Sequence, residues 1–161
     1  MSDFTFNVAL GREVELYSRV DSNDPTNSAL ILVVLRAANL ESDALLKDYD
    51  NLSLLLAGAS DEATNSGYAR KTLDDTALAA YTVDDTNDRI QLLLPTQTWT
   101  SVAAGDSWSK LLVCYDNDTT SGTDTNIIPV TAHDLRYSGA SIVPNGSNIV
   151  VAFTNGFVIC D

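Results

Sequence analysis

Short segments in which apolar and polar residues alternate, separated by turn-forming residues, recur along most of the chain. Alternation with a period of two places side chains on opposite faces of an extended backbone and is typical of antiparallel β structure. It predicts a first strand over residues 4–10, with Phe4, Phe6 and Val8 on one face, and a second over residues 14–20. Further strands are predicted at residues 67–73, 79–83, 90–94, 107–115, 127–131, 147–153 and 157–160.

Residues 29–37 differ from the other predicted strands because they have no polar face. A strand of this kind is expected to be covered on both sides, in the middle of a sandwich or barrel. The unbroken apolar part, residues 29–35, is far too short to cross a bilayer. The segment therefore predicts a buried central strand.

Residues 51–57 have the composition of a short helix rather than of a strand. Their interior is rich in leucine, and Asp50 or Asn51 can cap the first turn through a side-chain oxygen. Gly58 can end the helix in the left-handed conformation that glycine tolerates. A helix this short is not stable alone, so we expect packing against the strands to hold it.

About ten short strands and one helix, joined by loops rich in Ser, Thr, Asn and Asp, indicate an all-β protein. We expect an antiparallel β-sandwich of the jelly-roll or immunoglobulin-like kind. Between the last two strands, Asn155-Gly156 favours a hairpin turn. The chain has 161 residues, no internal repeat and no linker-like segment, so residues 1–161 are predicted to form a single domain.

The chain carries 22 acidic and 9 basic residues, which gives a formal net charge of −13. A charge of this sign repels phosphate backbones and anionic lipid headgroups, so we expect neither nucleic acid nor a membrane as a partner. The first residues also lack the basic and apolar regions of a secretory signal. Together with a hydrophobic content of 45%, the charge predicts a folded, soluble, acidic domain.

His133 is the single histidine and thus the only side chain of the type most often used as a general base. No Gly-x-Ser-x-Gly motif surrounds a serine, and acidic pairs are not concentrated in one place. We therefore predict no catalytic residues and interpret His133 as a turn or surface residue. Trp99 and Trp108 lie beside predicted strands, which favours core positions over a carbohydrate-binding surface.

The acidic loops at residues 116–124 and 84–88 offer the oxygen ligands that calcium prefers. The first loop departs from the EF-hand pattern because its twelfth position is Ile127 rather than glutamate, so a solvated hairpin loop is the favoured interpretation. Cys114 and Cys160 lie in apolar strand-like contexts that favour buried thiols, and a disulfide between them is the alternative. No metal and no other cofactor is predicted.

Arg70 and Lys71 are the only adjacent basic residues of this acidic chain. In a strand over residues 67–73, Tyr68 and Arg70 lie on one face and Lys71 lies on the other. Three interpretations stay open: ion pairs with internal carboxylates, a docking point for an acidic partner, or an edge strand whose charges prevent unwanted strand addition. The third is favoured.

Several segments in the middle and C-terminal two-thirds of the chain resemble small structural proteins encoded beside the head genes of tailed bacteriophages. The resemblance is looser over the first forty residues, and it rests on strand and turn segments without a catalytic motif. It covers residues 64–73, 83–89, 99–106, 110–116 and 128–134.

The resemblance implies a non-enzymatic capsid decoration (cement) protein with a β-sandwich-like body and no cofactor. Such a protein is made in the host bacterial cytoplasm, binds the major capsid protein on the capsid exterior, and stabilises the virion by bridging adjacent capsomers. Self-association as a homotrimer is implied as well. The alternatives are a phage tail or neck protein, as an adaptor or receptor-facing sandwich, and a carbohydrate-binding module or small hydrolase.

Residues 1–10 have two interpretations. They are either the first strand of the sandwich or an N-terminal arm, a swapped strand that pairs with a capsid strand or a neighbouring subunit. In the second case the aromatic side chains near the N-terminus would anchor the contact. The candidate capsid or subunit interface residues are Phe4, Phe6, Val8, Tyr68, Arg70 and Lys71.

Overall fold

The described part of the chain is mainly β structure with a few short helices. The computed structural model describes residues 2–136, 138–154 and 157–160. The helices are a 3₁₀ turn at Asn7–Ala9 and the α-helices Glu13–Asp21 (α1), Asp43–Leu46 (α2) and Leu52–Ala57 (α3). The strands are Phe4–Thr5 (β1), Ala29–Arg36 (β2), Lys71–Leu73 (β3), Thr82–Asp84 (β4), Arg89–Leu92 (β5), Gln97–Trp99 (β6), Trp108–Asp116 (β7), Ile128–Asp134 (β8), Ile149–Val151 (β9) and Val158–Cys160 (β10).

Strands β2 and β7 form the centre of a five-stranded antiparallel sheet with the order β1-β8-β7-β2-β3. They pair from Ala29 opposite Asp116 to Arg36 opposite Trp108. Both strands are buried along nearly their whole length, which confirms the prediction of a doubly covered strand at residues 29–37. The remaining strands form a three-stranded sheet with the order β10-β5-β4 and a two-stranded sheet of β6 and β9.

The two faces of the five-stranded sheet are covered by different elements, so alternate residues of β2 enter two separate cores. On one face, α2 and α3 contribute Leu46, Leu52 and Leu55 to what we call the helix-covered core. On the other face, α1 and the two small sheets complete what we call the mixed core. Its members from these elements include Leu16, Tyr17, Val20, Leu92, Trp99 and Ile149.

Helix α3 confirms the predicted helix at residues 51–57. Asn51 is its N-cap, and its side-chain Oδ1 accepts a hydrogen bond of 2.9 Å from the backbone N–H of Leu54. The prediction for Gly58 is wrong, because this residue has φ −74° and ψ −154° rather than a left-handed conformation. A side chain at residue 58 would instead collide with the hydroxyl of Tyr49, so Tyr49 would have to shift to make room for it.

Residues 14–20 are not a strand, as the alternation predicts, but belong to helix α1. The buried positions of this segment are Leu16, Tyr17 and Val20, whose spacing of one and four residues defines one face of a helix. Over so short a segment, the apolar positions fit one face of a strand and one face of a helix almost equally well. The sequence pattern therefore did not distinguish the two. The acidic residues in the first turn and Arg19 in the last turn also match the helix dipole.

The predicted strand at residues 4–10 is correct only at its start. Strand β1 covers Phe4–Thr5, and a 3₁₀ turn over Asn7–Ala9 then redirects the backbone. The turn ends the extended alternation, so Phe4, Phe6 and Val8 do not continue along one strand face. Instead, Phe6 is fully buried in the helix-covered core, with Phe4 and Val8 partly buried against it.

Most other predicted strands exist with shorter or shifted bounds, and two short elements, α2 and β6, have no counterpart among the predictions. The hairpin predicted at Asn155-Gly156 falls on two residues outside the described part of the chain. The flanking strands belong to different sheets, because β9 pairs with β6 and β10 pairs with β5. An all-β class with one helix is therefore correct in its main feature and too simple in its helix content.

The backbone at Gly67, before β3, lies in close contact with the segment that follows β6. Substitution of Gly67 tests this contact. The φ of Gly67 is +87°, and a Cβ there would lie 2.8 Å from the carbonyl oxygen of Ser101. Gly122 has a similar φ of +63° but open space around it. We expect Gly67→Ala to lose about 2 kcal/mol more unfolding free energy than Gly122→Ala, because both pay the conformational cost and only the first clashes. Urea unfolding of both variants measures this, and equal losses would contradict the contact.

Candidate functional site

Arg70 lies at the centre of a network of ion pairs beside the start of β3. Its Nη1 donates to Oδ1 of Asp124 at 2.6 Å, and its Nη2 donates to Oε2 of Glu62 at 2.6 Å. The guanidinium makes further bonds to both carboxylates, so each is held by two nitrogens. The Arg70 side chain is 29% exposed. Of the three interpretations of Arg70, pairing with internal carboxylates is the one that this geometry supports.

Tyr68 joins the same network from the buried side. Its hydroxyl donates to Oε1 of Glu62 at 2.7 Å and accepts a hydrogen bond of 3.0 Å from the backbone N–H of Val34 in β2. Its ring meets the ring of Trp108 edge-on at 5.5 Å. Desolvation by burial, followed by the nearby Glu62 carboxylate, raises the pKa of Tyr68. Tyr68 thus links the ion-pair network to the central sheet.

Lys71 starts strand β3, which is an edge of the five-stranded sheet and pairs with β2. This confirms the predicted edge strand. The Lys71 ammonium lies 5.5 Å from the centre of the Trp99 ring, a favourable cation–π distance. The two adjacent basic residues therefore have different roles, with Arg70 in internal ion pairs and Lys71 over an aromatic ring at the sheet edge.

The N-terminal interface candidates pack within the chain itself. Strand β1 pairs with β8, with Phe4 opposite Ala132. Phe6 is fully buried and its ring lies 5.2 Å from that of Phe4. Within the single chain, Phe4–Thr5 and Asn7–Ala9 thus form a first strand and a 3₁₀ turn against β8.

Lys110, a residue that the sequence analysis did not single out, anchors this N-terminal segment. Its side chain is fully buried, its Nζ lies 3.1 Å from Oδ1 of Asp43, and it donates to the carbonyl oxygen of Ser2 at 3.0 Å. The ammonium also lies 5.0 Å from the centre of the Phe4 ring. Burial opposes ionisation of Asp43, but hydrogen bonds from Ser2 and Lys110 together lower its pKa. A lysine inside the apolar run at residues 107–115 was the sequence feature that could have revealed this contact.

His133 is a strand residue beside a cleft of about 370 Å³, and not a turn or surface residue. Its side chain is 15% exposed, with Nε2 2.9 Å from Oγ1 of Thr131 and Nδ1 3.3 Å from Oδ2 of Asp3. Desolvation lowers the pKa of His133, and the Asp3 carboxylate opposes this effect. The residues that line the cleft are Asp3, Phe4, Thr5, Thr131, His133, Phe157 and Val158.

The order hydroxyl, imidazole and carboxylate also occurs in catalytic triads, where the hydroxyl must reach a substrate. Thr131 is only 3% exposed, so its hydroxyl offers almost no surface to a bound molecule. Asp3 has a second contact, because its Oδ1 accepts a hydrogen bond of 2.7 Å from the backbone N–H of Asp134. The arrangement therefore works as a clamp that fixes the N-terminal segment to the end of β8.

Two carboxylates of the loop considered for calcium binding have partners within the chain, and one of the two cysteines is a buried thiol. In the loop at residues 116–124, Asp118 accepts hydrogen bonds from Thr120, and Asp124 binds Arg70. Within the described ranges, no three acidic, histidine or cysteine side chains cluster as metal ligands. Cys114 is a buried free thiol whose pKa is raised by burial. The Cys160 side chain lies outside the described part of the structure.

Trp99 and Trp108 occupy core positions, as predicted. They are 1% and 0% exposed, and their rings meet edge-on at 5.5 Å. The indole N–H of Trp108 donates to Oδ1 of Asn65, and that of Trp99 donates to the carbonyl oxygen of Ala69. Neither ring presents an exposed face on which a sugar could stack.

No family model, no curated protein and no solved structure matches this chain. Among the helices of the described residues, none has the length and apolar character needed to span a membrane.

Replacing Arg70 tests how far the ion-pair network holds the fold together. Arg70→Lys should lower the unfolding free energy by about 2–3 kcal/mol, because one ammonium cannot hold two part-buried carboxylates with paired hydrogen bonds. The control is Arg19→Lys on α1, whose pair with Glu15 is 45% and 46% exposed. That change should cost less than about 0.5 kcal/mol. Chemical denaturation measures both, and equal costs would contradict the structural role of Arg70.

The buried His133 predicts a pH dependence of stability. A histidine whose pKa is lower in the folded than in the unfolded state binds protons preferentially when unfolded. Stability should therefore fall as pH decreases below the unfolded value of about 6.5. Carboxylates contribute at lower pH, since Arg136 lowers the pKa of Asp134 to about 2.

Urea unfolding of the natural protein and of His133→Gln, at pH 7.5 and pH 5.5, isolates this effect. The difference in unfolding free energy between the two pH values should be smaller for the variant, because the chain has no other histidine. The same difference in both proteins would show that folding does not lower the pKa of His133.

Proposed function

We propose that this chain is a non-enzymatic virion structural protein of a tailed bacteriophage that decorates and stabilises the capsid exterior by bridging adjacent capsomers. One structural observation supports the proposal: the basic and titratable side chains of the candidate site make their polar contacts within the chain. Arg70, Lys110 and His133 each bind groups of the chain itself. A body of this kind acts through its shape and its surface.

The segments with the phage resemblance lie mainly in the central body. Residues 110–116 belong to β7, residues 128–134 form β8, and residues 64–73 contain β3 and the Tyr68 and Arg70 side chains of the ion-pair network. Residues 99–106 follow β6 and supply the backbone against which Gly67 packs. The resemblance thus follows segments that support one another in space, which favours a shared structural body over scattered chance matches.

The physical action that we propose is stabilisation by mass action. A protein that binds the assembled shell but not its separated subunits shifts the equilibrium towards the shell, in proportion to its affinity and concentration. Such binding needs apolar contact area on the outside of a soluble body. Exposed apolar side chains are present at Leu10, Leu45, Leu54, Val143 and Val150, the last two with 69% and 60% exposure.

The finer fold assignment, a jelly-roll or immunoglobulin-like β-sandwich, is part of the same proposal. It is supported by the mixed core, in which Leu92 and Trp99 from the small sheets pack with residues from one face of the central sheet. Assembly as a homotrimer, with the major capsid protein as the partner, is proposed from the resemblance alone.

A role for residues 1–10 as a swapped strand also belongs to this proposal. Strand β1 pairs with β8 at two positions, Phe4 with Ala132 and Thr5 with Thr131. The backbone N–H of Phe6 adds one more hydrogen bond, to the carbonyl oxygen of Val130. The same pairs, together with the Asp3 clamp, could form between neighbouring subunits without any new chemistry. This keeps Phe4, Phe6 and Val8 as candidate subunit contacts.

Two other functions are distinguished by simple measurements. A tail or neck protein would be present in three, six or twelve copies per particle, whereas a decoration protein would be present in hundreds. A carbohydrate-binding module would need an exposed aromatic surface, and the burial of Trp99 and Trp108 argues against it.

Addition of the purified protein to undecorated expanded heads tests the proposal. We expect binding at micromolar concentration and a rise in the melting temperature of the heads, because the protein binds only the assembled shell. Heads that already carry their full decoration are the control and should neither bind more protein nor gain stability. Absence of binding to undecorated heads would refute the proposal.

A further inference from the structure

Strand β4 is the outer strand of the three-stranded sheet with the order β10-β5-β4. It pairs with β5 on one side, with Val83 opposite Ile90 and Asp84 opposite Arg89. Among the described residues, no strand pairs with its other side. An edge strand of this kind carries backbone N–H and C=O groups that can bind another extended chain.

The apolar face of this small sheet extends beyond the core. Leu92 on β5 is fully buried, Ile90 is half-buried, and Val83 on β4 is 58% exposed. Tyr81, immediately before β4, is 40% exposed. The chain therefore ends this sheet with apolar side chains that its own core does not cover.

The edge at β4 differs in sequence from the edge at β3, which begins with Lys71 directly after the engaged Arg70. Residues 80–84 contain no lysine, arginine or proline, residues that usually discourage strand addition. The one charged residue among them, Asp84, is paired with Arg89 of the neighbouring strand. Among the described residues, no other strand occupies the free side of β4.

The charge next to this edge determines which partner fits. Asp84 pairs with Arg89 at 3.0 Å, and the following turn exposes the carboxylates of Asp85 and Asp88. A second copy would bring the same carboxylates and a net charge of −13 to the contact, which opposes self-pairing. A segment with lysine or arginine side chains would instead be attracted.

We propose that β4 is a docking edge for an extended segment of another protein, with apolar residues at alternate positions and basic residues between them. The backbone of the segment would continue the three-stranded sheet, its apolar side chains would cover Val83 and Tyr81, and its cations would lie near Asp85 and Asp88. This mode of binding is β-strand addition. The inference does not rest on the proposed capsid function.

A peptide titration followed by amide NMR tests the docking edge. The probe is an acetylated and amidated seven-residue peptide in which lysine and valine alternate, and we expect it to shift the backbone amides of Thr82, Val83 and Asp84. The same peptide with glutamate in place of lysine should bind at least roughly tenfold more weakly. A fully N-methylated version should not bind, because it has no backbone donors for the sheet.

Two matched variants locate the contact. Val83→Lys removes the apolar side chain and opposes the cationic peptide, and it should weaken binding by roughly tenfold or more. Val150→Lys makes the same change at a valine of similar exposure, 60%, on β9 and should leave binding unchanged. Amide spectra of both variants confirm that each remains folded.

Three results of the peptide titrations would overturn the proposal. They are amide shifts confined to other parts of the chain, equal binding by Val83→Lys, and equal binding of the glutamate peptide. Concentration-dependent shifts at β4 without any peptide would also overturn it, since the occupant would then be a second copy of this chain.

Discussion

Strands β2 and β7 are buried on both faces, and the helices and the two small sheets pack so that these faces are covered. A single antiparallel sheet usually leaves one face to solvent, but these two strands have no polar face to expose. Helices α2 and α3 cover one side, while α1 and the small sheets cover the other. None of the covering elements is long enough to be stable alone, so they depend on the apolar surface of the central pair.

Buried and part-buried charges hold the connecting segments in place where apolar contact is insufficient. Arg70 joins Glu62 and Asp124, which are far apart in the sequence, and Lys110 joins Asp43 to the N-terminal segment. Removal of one partner from such a contact leaves the other desolvated without compensation, which makes these residues structurally important.

The internal engagement of these side chains also limits how the protein can bind partners. Arg70, Lys110 and His133 make their polar contacts within the chain. The groups that can contact a partner are therefore the exposed apolar side chains, the acidic loops and the free backbone edge of β4. These features suit binding through surface and shape. They are compatible with a protein that acts by adding contacts to a larger assembly. The docking edge proposed at β4 would be one such contact, made to an extended segment with basic side chains.

Sequence patterns alone were enough to predict the features that depend on neighbouring residues: the doubly buried strand at residues 29–37, the short helix at residues 51–57, the edge position of β3 and the core positions of the tryptophans. They failed at residues 14–20, because two-residue and helical periodicity coincide over so short a segment, and at residues 4–10, where a turn interrupts the alternation. Only the tertiary structure decided which carboxylates bind Arg70, that Lys110 is buried, and that Asp3 reaches His133. Those contacts join residues that are distant along the chain. Local sequence patterns do not indicate which distant residues meet after folding.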